Sequence, residues 1–529
     1  MIGSWMMAVS LLGLAGEDGA RNTGGNSPVF VRTFEERKPF EGTSPTGPGI
    51  RVLAGEGRAG TAGLVIEREP ASGSGSAMVS WSLPIEKLRG ARVRVEAFAR
   101  AEGVSPPPKS WNGIKVMLHV RGAGDEWPQA PIDAGSFGWS RVGFTATIPD
   151  DSKSADLALG LEQVTGRVVL DDVRISILSP RRTAATPAAN ATAAEARPGH
   201  GRLRGVMIGT KVDADDLTTL ARSYGANHVR WQLLWDGFPN GPADTATAEE
   251  YDRWLGRELD RLARLLTVCR REGISVLIDV HTPPGGREQG TSVMKMFRKP
   301  EHQAHFLRVW DRIAGRFHDD PAVWGYDLVN EPVVGMIPDG VKTWPELALE
   351  AAKRIRAIDR GKAIIVEPTP WGSPEGLDDF EPLPGIDGVV YSVHMYQPHH
   401  FTHQGVYDNP GRVSYPGVID GKPWDKAAIR RALEPARRFE RDFHVPIYIG
   451  EFSVIRWAPG ASGRDWLRDV IEVMEEYRWD WAYHAYREWD GWSFEHGPDR
   501  NDHTRSPSLT DRGALLKSYF ERNPRQPRP

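Results

Sequence analysis

The hydrophobic pattern of this chain changes its period once, and that change limits the folds open to it. Up to residue 178, apolar and polar residues alternate in ARVRVEAFAR (91–100), GIKVMLHVR (113–121), SRVGFTATI (140–148), ADLALGLEQV (155–164) and GRVVLDDVRISIL (166–178). Gly, Pro, Ser and Asp clusters separate these runs, so residues 25–178 are predicted to form an all-β, jelly-roll-like sandwich. Residues 179–200 (SPRRTAATPAANATAAEARPGH) are rich in Ala, Pro and Thr and nearly free of large apolar side chains, which predicts a linker. Beyond it, short apolar runs alternate with amphipathic stretches. The runs are GVMIG (205–209), ANHVRW (226–231), SVLIDVH (275–281), VWGYDLVN (323–330), KAIIVEP (362–368), GVVYSVH (388–394), PIYIGE (446–451) and WAYHAYRE (481–488). Eight strand–helix units over residues 201–524 predict an α/β domain of the (β/α)8 barrel type. A doubly wound open sheet is the alternative, but no Gly-rich phosphate fingerprint follows the first strand.

The bulk properties narrow the function. A chain of 529 residues exceeds a single hydrophobic core, so two or three domains are expected. A net charge of −4 without a basic stripe gives no electrostatic reason to bind nucleic acid. Cys269 is the only cysteine, so no internal disulfide can form. Residues 1–24 begin with an apolar stretch (MIGSWMMAVSLLGLAG, 1–16) that ends in small residues, like the apolar part of a secretory signal without its positive start. A secreted or periplasmic protein is expected. No other stretch approaches the ~20 apolar residues of a membrane span. Asn190-Ala191-Thr192 forms a glycosylation sequon inside the linker.

In barrels of this type the chemistry sits at the C-terminal ends of the strands. Those ends carry Arg230 on the second strand, His281 on the third, Asn330 and Glu331 on the fourth, His394 and Tyr396 on the sixth, Glu451 on the seventh and His484 on the eighth, followed by Trp489 and Trp492. Glu331 and Glu451 each close an apolar run, GYDLVNEP and PIYIGEFS. They are 120 residues apart in sequence, yet strands four and seven of a closed ring face each other across its mouth.

Asn-Glu-Pro after a fourth strand, Gly-Glu-Phe at a seventh, Arg at the second, His at the third and His-x-Tyr at the sixth resemble family 5 of the glycoside hydrolases, over about residues 203–523. The resemblance implies a retaining β-glycosidase acting on a β-linked glycan, cellulose-like or related, by double displacement. Glu331 is then the general acid/base, a role that needs a carboxyl still protonated at working pH, and Glu451 the nucleophile, which must stay ionised. Arg230 is expected to keep Glu451 ionised and Tyr396 to hydrogen-bond it, while Glu331 has no cation beside it in sequence. Asn330 is expected at the sugar 2-hydroxyl, with His281 and His394 lining the subsite next to the cleaved bond. Asp279, taken to point away from His281, is assigned to structure. His484 stands where the family usually has a tryptophan, so Trp489 or Trp492 is expected to supply the sugar platform. The alternatives on the same scaffold are a non-catalytic glycan-binding protein and a transglycosylase.

No cofactor and no metal is expected: His399, His400 and His403 (HHFTHQG) lie in a loop without acidic or thiol ligands at ligand spacing, and solvent or sugar contact is expected of them. The partner is an oligo- or polysaccharide, with no nucleic acid and no membrane span, and the chain is expected to be a monomer. Of the 19 tryptophans, Trp235, Trp371 and Trp489 fall in loops suited to a glycan cleft, whereas Trp254 and Trp310 fall on amphipathic helices and are expected in the core. The sandwich resembles the carbohydrate-binding modules attached to such enzymes. Trp81, Trp111, Trp127 and Trp139 are its stacking candidates, and a purely structural domain packed on the barrel is the alternative.

Overall fold

The computed structural model describes residues 28–43, 45–70, 75–179, 201–235, 242–406, 409 and 411–523. The signal-like start, the linker from residue 180 and its sequon lie outside the described residues. Among the described residues, no helix is long and apolar enough to cross a membrane.

Eight parallel strands close into a ring in chain order: Arg204–Ile208, His228–Gln232, Ser275–Asp279, Val323–Asp327, Ala363–Val366, Val389–Met395, Ile447–Phe452 and Asp480–Tyr486. Pairing of the first with the last, Arg204 opposite Trp481, removes any free edge. The second strand shows how the pleat sorts its side chains. His228 and Arg230 point into the barrel, while Val229 and Trp231 join the large core beneath the helices. At the floor of the barrel, Leu277, Trp324, Ile365, Val390 and Tyr448 pack together, and the Tyr448 hydroxyl lies 2.8 Å from His228 Nε2. This packed plug leaves only the C-terminal mouth open to chemistry.

The helix Ala248–Glu272 shows how sequence fixes the outer ring. Thr247 and Glu250 form a reciprocal capping box at its start, and Gly273, at φ +71°, ends it in the left-handed conformation that glycine adopts without strain. Trp254, Leu255, Leu259, Leu262 and Leu266 recur at helical spacing and are buried against the strands. Trp254 and Trp310 are core residues, as their spacing predicts.

The N-terminal region is two antiparallel sheets. A four-stranded sheet runs in the order Ser76–Ser82, Ser154–Glu162, Gly113–Arg121, Asp125–Glu126. It faces a seven-stranded one built around Arg92–Val104 and Gly166–Ser179. Val93, Val95, Ala97 and Ala99 alternate inward against Val116, Leu118, Leu157 and Leu159. One strand of the larger sheet belongs to the barrel: Ile337–Pro338 pairs antiparallel with Ser140 and Arg141. A second contact forms at Asp379, which pairs with Arg92, accepts from Thr145 Oγ1 at 2.5 Å and offers its carbonyl to Arg94 at 2.8 Å.

Candidate active site

Arg230, fully buried, organises the mouth of the barrel. Its Nε donates to Asp327 Oδ2 at 2.9 Å. Nη1 donates to Glu451 Oε1 at 2.7 Å, and Nη2 to Asn330 Oδ1 at 3.0 Å and Glu367 Oε1 at 2.9 Å. Asp279 Oδ2 lies 3.2 Å from the same Nη2. One guanidinium therefore fixes groups from strands three, four, five and seven, which a planar fork of five donors can do and an ammonium cannot. Asn330 extends the network, its amide Nδ2 lying 3.2 Å from His281 Nε2, while His281 Nδ1 lies 2.8 Å from Asp279 Oδ2. These contacts fit His281 with its proton on Nδ1. Asp279 thus shares a face with His281, because residues two apart on a strand point the same way. The expectation that it points away from His281 is corrected.

Glu451 has both oxygens held: Oε1 by Arg230 and Oε2 by the Tyr396 hydroxyl at 2.9 Å. His394 Nδ1 and His484 Nδ1 each stand 3.7 Å from Oε2. Burial alone would raise the pKa of Glu451, but the charges of His394, His484 and Arg230 overcome it and hold the carboxylate well below its ordinary range. His394 is shifted the opposite way. Burial opposes its charge, yet Glu367 and Glu451, with the contacts to Glu331 and Glu367, hold its pKa well above the ordinary value.

Glu331 lies four residues beyond the fourth strand, with φ +48°, and its N–H donates to Glu367 Oε2 at 2.8 Å. His394 Nδ1 donates to its Oε1 at 2.8 Å, so a cation that has no counterpart in the neighbouring sequence does face it. The difference from Glu451 is one of number and access: the Glu331 side chain is 18% exposed, that of Glu451 5%. One oxygen of each, together with one His394 nitrogen, all lie within 4.8 Å of one another. Such closeness fits carboxyls about 5–5.5 Å apart, the retaining arrangement. Among the described residues, these three side chains each offer one atom placed to hold a metal ion.

The eighth strand places a titratable side chain, His484, at the mouth. Tyr396 Oη lies 2.6 Å from His484 Nδ1, and His484 Nε2 lies 3.3 Å from Glu488 Oε1. Gln232 Nε2 donates to Glu488 Oε2 at 2.6 Å. Trp492 packs on Tyr396, His403 and His484 at ring separations of 6.1, 4.9 and 5.7 Å. Trp489, 41% exposed, joins the cluster through Trp492, 5.6 Å away. His403 is buried under Tyr396 and Trp492, and burial with the neighbouring His399 and His484 pushes its pKa down to about 3. It packs the site wall, correcting the expectation of a solvent-facing loop histidine. Trp371 is exposed at the rim over Arg287, whose Nη2 donates to the carbonyls of Asn330 and Glu331 at 2.9 and 3.0 Å.

Sequence reasoning gathered Arg230, His281, Asn330, Glu331, His394, Tyr396, Glu451 and His484 at one mouth, and the structure brings these eight together. It left out Glu367, Asp327, Arg287, Gln232 and Glu488. Glu367 carries the signal that marked the other two glutamates, a carboxylate closing an apolar strand (KAIIVEP).

The cellulase profile of glycosyl hydrolase family 5 matches residues 189–493. The chain belongs to glycosyl hydrolase family 5. It is thus a retaining β-glycosidase. It is 28% identical over 306 residues to Endoglucanase C of Acetivibrio thermocellus, covering 53% of this chain and 85% of that protein. To Cellodextrinase A of Ruminococcus flavefaciens it is 24% identical over 270 residues, covering 50% of this chain and 76% of that one. A solved glycoside hydrolase structure superposes with a TM-score of 0.49 at 22% identity, covering 60% of this chain and 99% of that one.

Proposed function

We propose that this family-5 hydrolase cleaves a β-linked glucan with Glu451 as nucleophile and Glu331 as acid/base. The observation that carries the assignment is the unequal surroundings of the two carboxylates: Glu451 buried, doubly hydrogen-bonded and facing three cationic side chains, Glu331 open to the mouth. In the first step an oxygen of Glu451 attacks the anomeric carbon while Glu331 gives its proton to the glycosidic oxygen, and the aglycone leaves as an alcohol. In the second step Glu331 takes a proton from water, whose oxygen attacks the same carbon and frees Glu451. Tyr396 and Arg230 keep the nucleophile ionised and aimed. Asn330 Oδ1 is held by Arg230 and one amide hydrogen by His281, which leaves the second amide hydrogen for a sugar hydroxyl. Among the relatives' printed names, the endoglucanases and the cellodextrinase favour a β-glucan substrate.

The test is a hydrolysis screen over β-glucans, mannans, xyloglucan and aryl β-glycosides, with the first-formed anomer read by NMR. Release of the β-anomer from a glucan is expected. A first-formed α-anomer, or cleavage of mannan alone, refutes the reading.

A secreted or periplasmic location suits a polymeric substrate and the apolar start of the chain. For the sandwich, glycan binding is favoured by the outer face of its smaller sheet. Trp111 and Trp127 are 57% and 53% exposed there, Trp127 stacked on His119 at 5.2 Å. Lys115, beside them, donates to Gln129 Oε1 at 2.6 Å and faces Glu162 at 3.0 Å. Trp81, by contrast, is a core residue, and Trp139 is half-buried beneath Arg100. The full chain is expected to sediment with insoluble β-glucan, and Trp111→Ala with Trp127→Ala to weaken retention by about tenfold or more, since each stacked ring contributes roughly 1 kcal/mol. Unchanged sedimentation of the double variant ends this reading.

A further inference from the structure

The loop that leaves Glu331 does not return directly to the barrel. Pro332 accepts from the Trp371 N–H at 3.2 Å and Val333 from that of Met294 at 3.1 Å. Five residues beyond Glu331, Met336 is buried in the core of the sandwich, and its carbonyl accepts from Arg298 Nη1 at 2.7 Å. Ile337 and Pro338 then pair with Arg141 and Ser140 as the edge strand of the larger sheet. The Asp339 N–H donates to the Trp139 carbonyl at 2.8 Å. Its carboxylate receives Arg58 of the sandwich through two nitrogens, at 2.9 and 3.3 Å. Arg58 is itself fixed, its N–H on Asp171 at 2.8 Å and its guanidinium over Phe98 at 4.2 Å.

Glu331 needs such an anchor. Its φ of +48° is left-handed, a region that a residue with a side chain occupies only when its surroundings hold it there. Arg287 grips the carbonyls of residues 330 and 331 and Glu367 the Glu331 N–H, all from the barrel side. From the other side the chain runs only a few residues before the sandwich takes it.

We propose that the sandwich is a positioning part of the active site: by taking up Met336 as a core residue and Ile337–Pro338 as a strand, it fixes the loop that presents the Glu331 carboxyl to the leaving group. Met336 and Arg58 are positioning residues that act through Glu331. The inference rests on the acid/base reading of Glu331.

The test compares the full-length protein with Met336→Ala, Met336→Leu, Arg58→Ala, Arg58→Lys and Glu331→Gln on two glycosides of one sugar, one with a leaving group that needs a proton and one with an activated phenol that does not. Displacement of a catalytic group by about 1 Å costs up to ~10²-fold, so Met336→Ala is expected to lower kcat/KM, which reports the glycosylation step, about tenfold on the first substrate and less than about twofold on the second. Arg58→Ala, on a half-exposed pair that does not threaten folding, is expected to give the same pattern at about threefold. Met336→Leu restores activity, and Arg58→Lys, which keeps the charge but not the fork, restores it in part. Equal losses on both substrates, or none, in Met336→Ala and Arg58→Ala overturn the inference. If Glu331→Gln itself shows no leaving-group dependence, the acid/base reading fails first, and the two failures are told apart.

Discussion

Glu451→Gln is expected to lower kcat by ~10⁴-fold or more on every substrate the wild type cleaves, activated aryl glycosides included. An amide cannot form the glycosyl ester, and no other carboxylate stands ready to replace it. Glu367 is tied to Arg230 and the Glu331 N–H, and Glu488 is bound by Gln232 on the far side of His484. Glu331→Gln differs in kind. It removes proton transfer, an effect of ~10²–10⁴-fold on substrates with poor leaving groups, but leaves attack by Glu451 intact. An activated phenol therefore restores the first step, and the glycosyl-enzyme accumulates as a burst because water is no longer deprotonated. A small added nucleophile such as azide then turns the intermediate over. Steady-state and pre-steady-state rates on an aryl glycoside separate the two variants. Full activity in either, or rescue of Glu451→Gln by a better leaving group, would break the assignment.

Much of this was legible in the chain because barrel strands are buried on both faces and read as short apolar runs, so the polar residue that ends each run marks the mouth. Arg230, Glu331, His394 and Glu451 were visible for that reason. What stayed hidden depends on pairings that no run encodes. Asp327 sits inside its apolar run and becomes an acid of the site only because Arg230 reaches across to it. Arg287 comes from a loop and is placed by the carbonyls it binds. Ile337–Pro338 carries no alternation in two residues, and its proline argues against a strand except at a sheet edge, which is where it lies. His403 belongs to a run of loop histidines that reads as solvent-facing, and a four-residue helix, His399–Thr402, turns it under Trp492.

Arg230→Met is expected to be the most destabilising single change at the site. The wild-type guanidinium, with no exposed surface, faces Asp279, Asp327, Glu367 and Glu451, all within 3.2 Å. Removing one partner of a buried charge pair costs about 3–5 kcal/mol because the remaining charge is left uncompensated. In a barrel of this size that corresponds to a fall in Tm of roughly 10 °C. Burial already holds the Asp327 carboxyl above its ordinary 3.8 against the pull of Arg230, and without that pull it rises further. The sign of the pH dependence follows. An acid whose folded pKa exceeds its unfolded value destabilises the fold above the unfolded pKa, and protonation relieves it. The Tm gap between wild type and Arg230→Met is therefore expected to narrow as pH falls from 7 towards 4.5. Arg230→Lys keeps the charge but not the fork, so it regains part of the stability while Glu451 loses its fixed orientation. Its Tm should lie nearer the wild type than its kcat does. Melting curves across that pH range, with kcat for the lysine variant, provide the check. A wild-type Tm in Arg230→Met at pH 7, or a gap that widens towards acid, would mean that the guanidinium is not what offsets these four carboxylates.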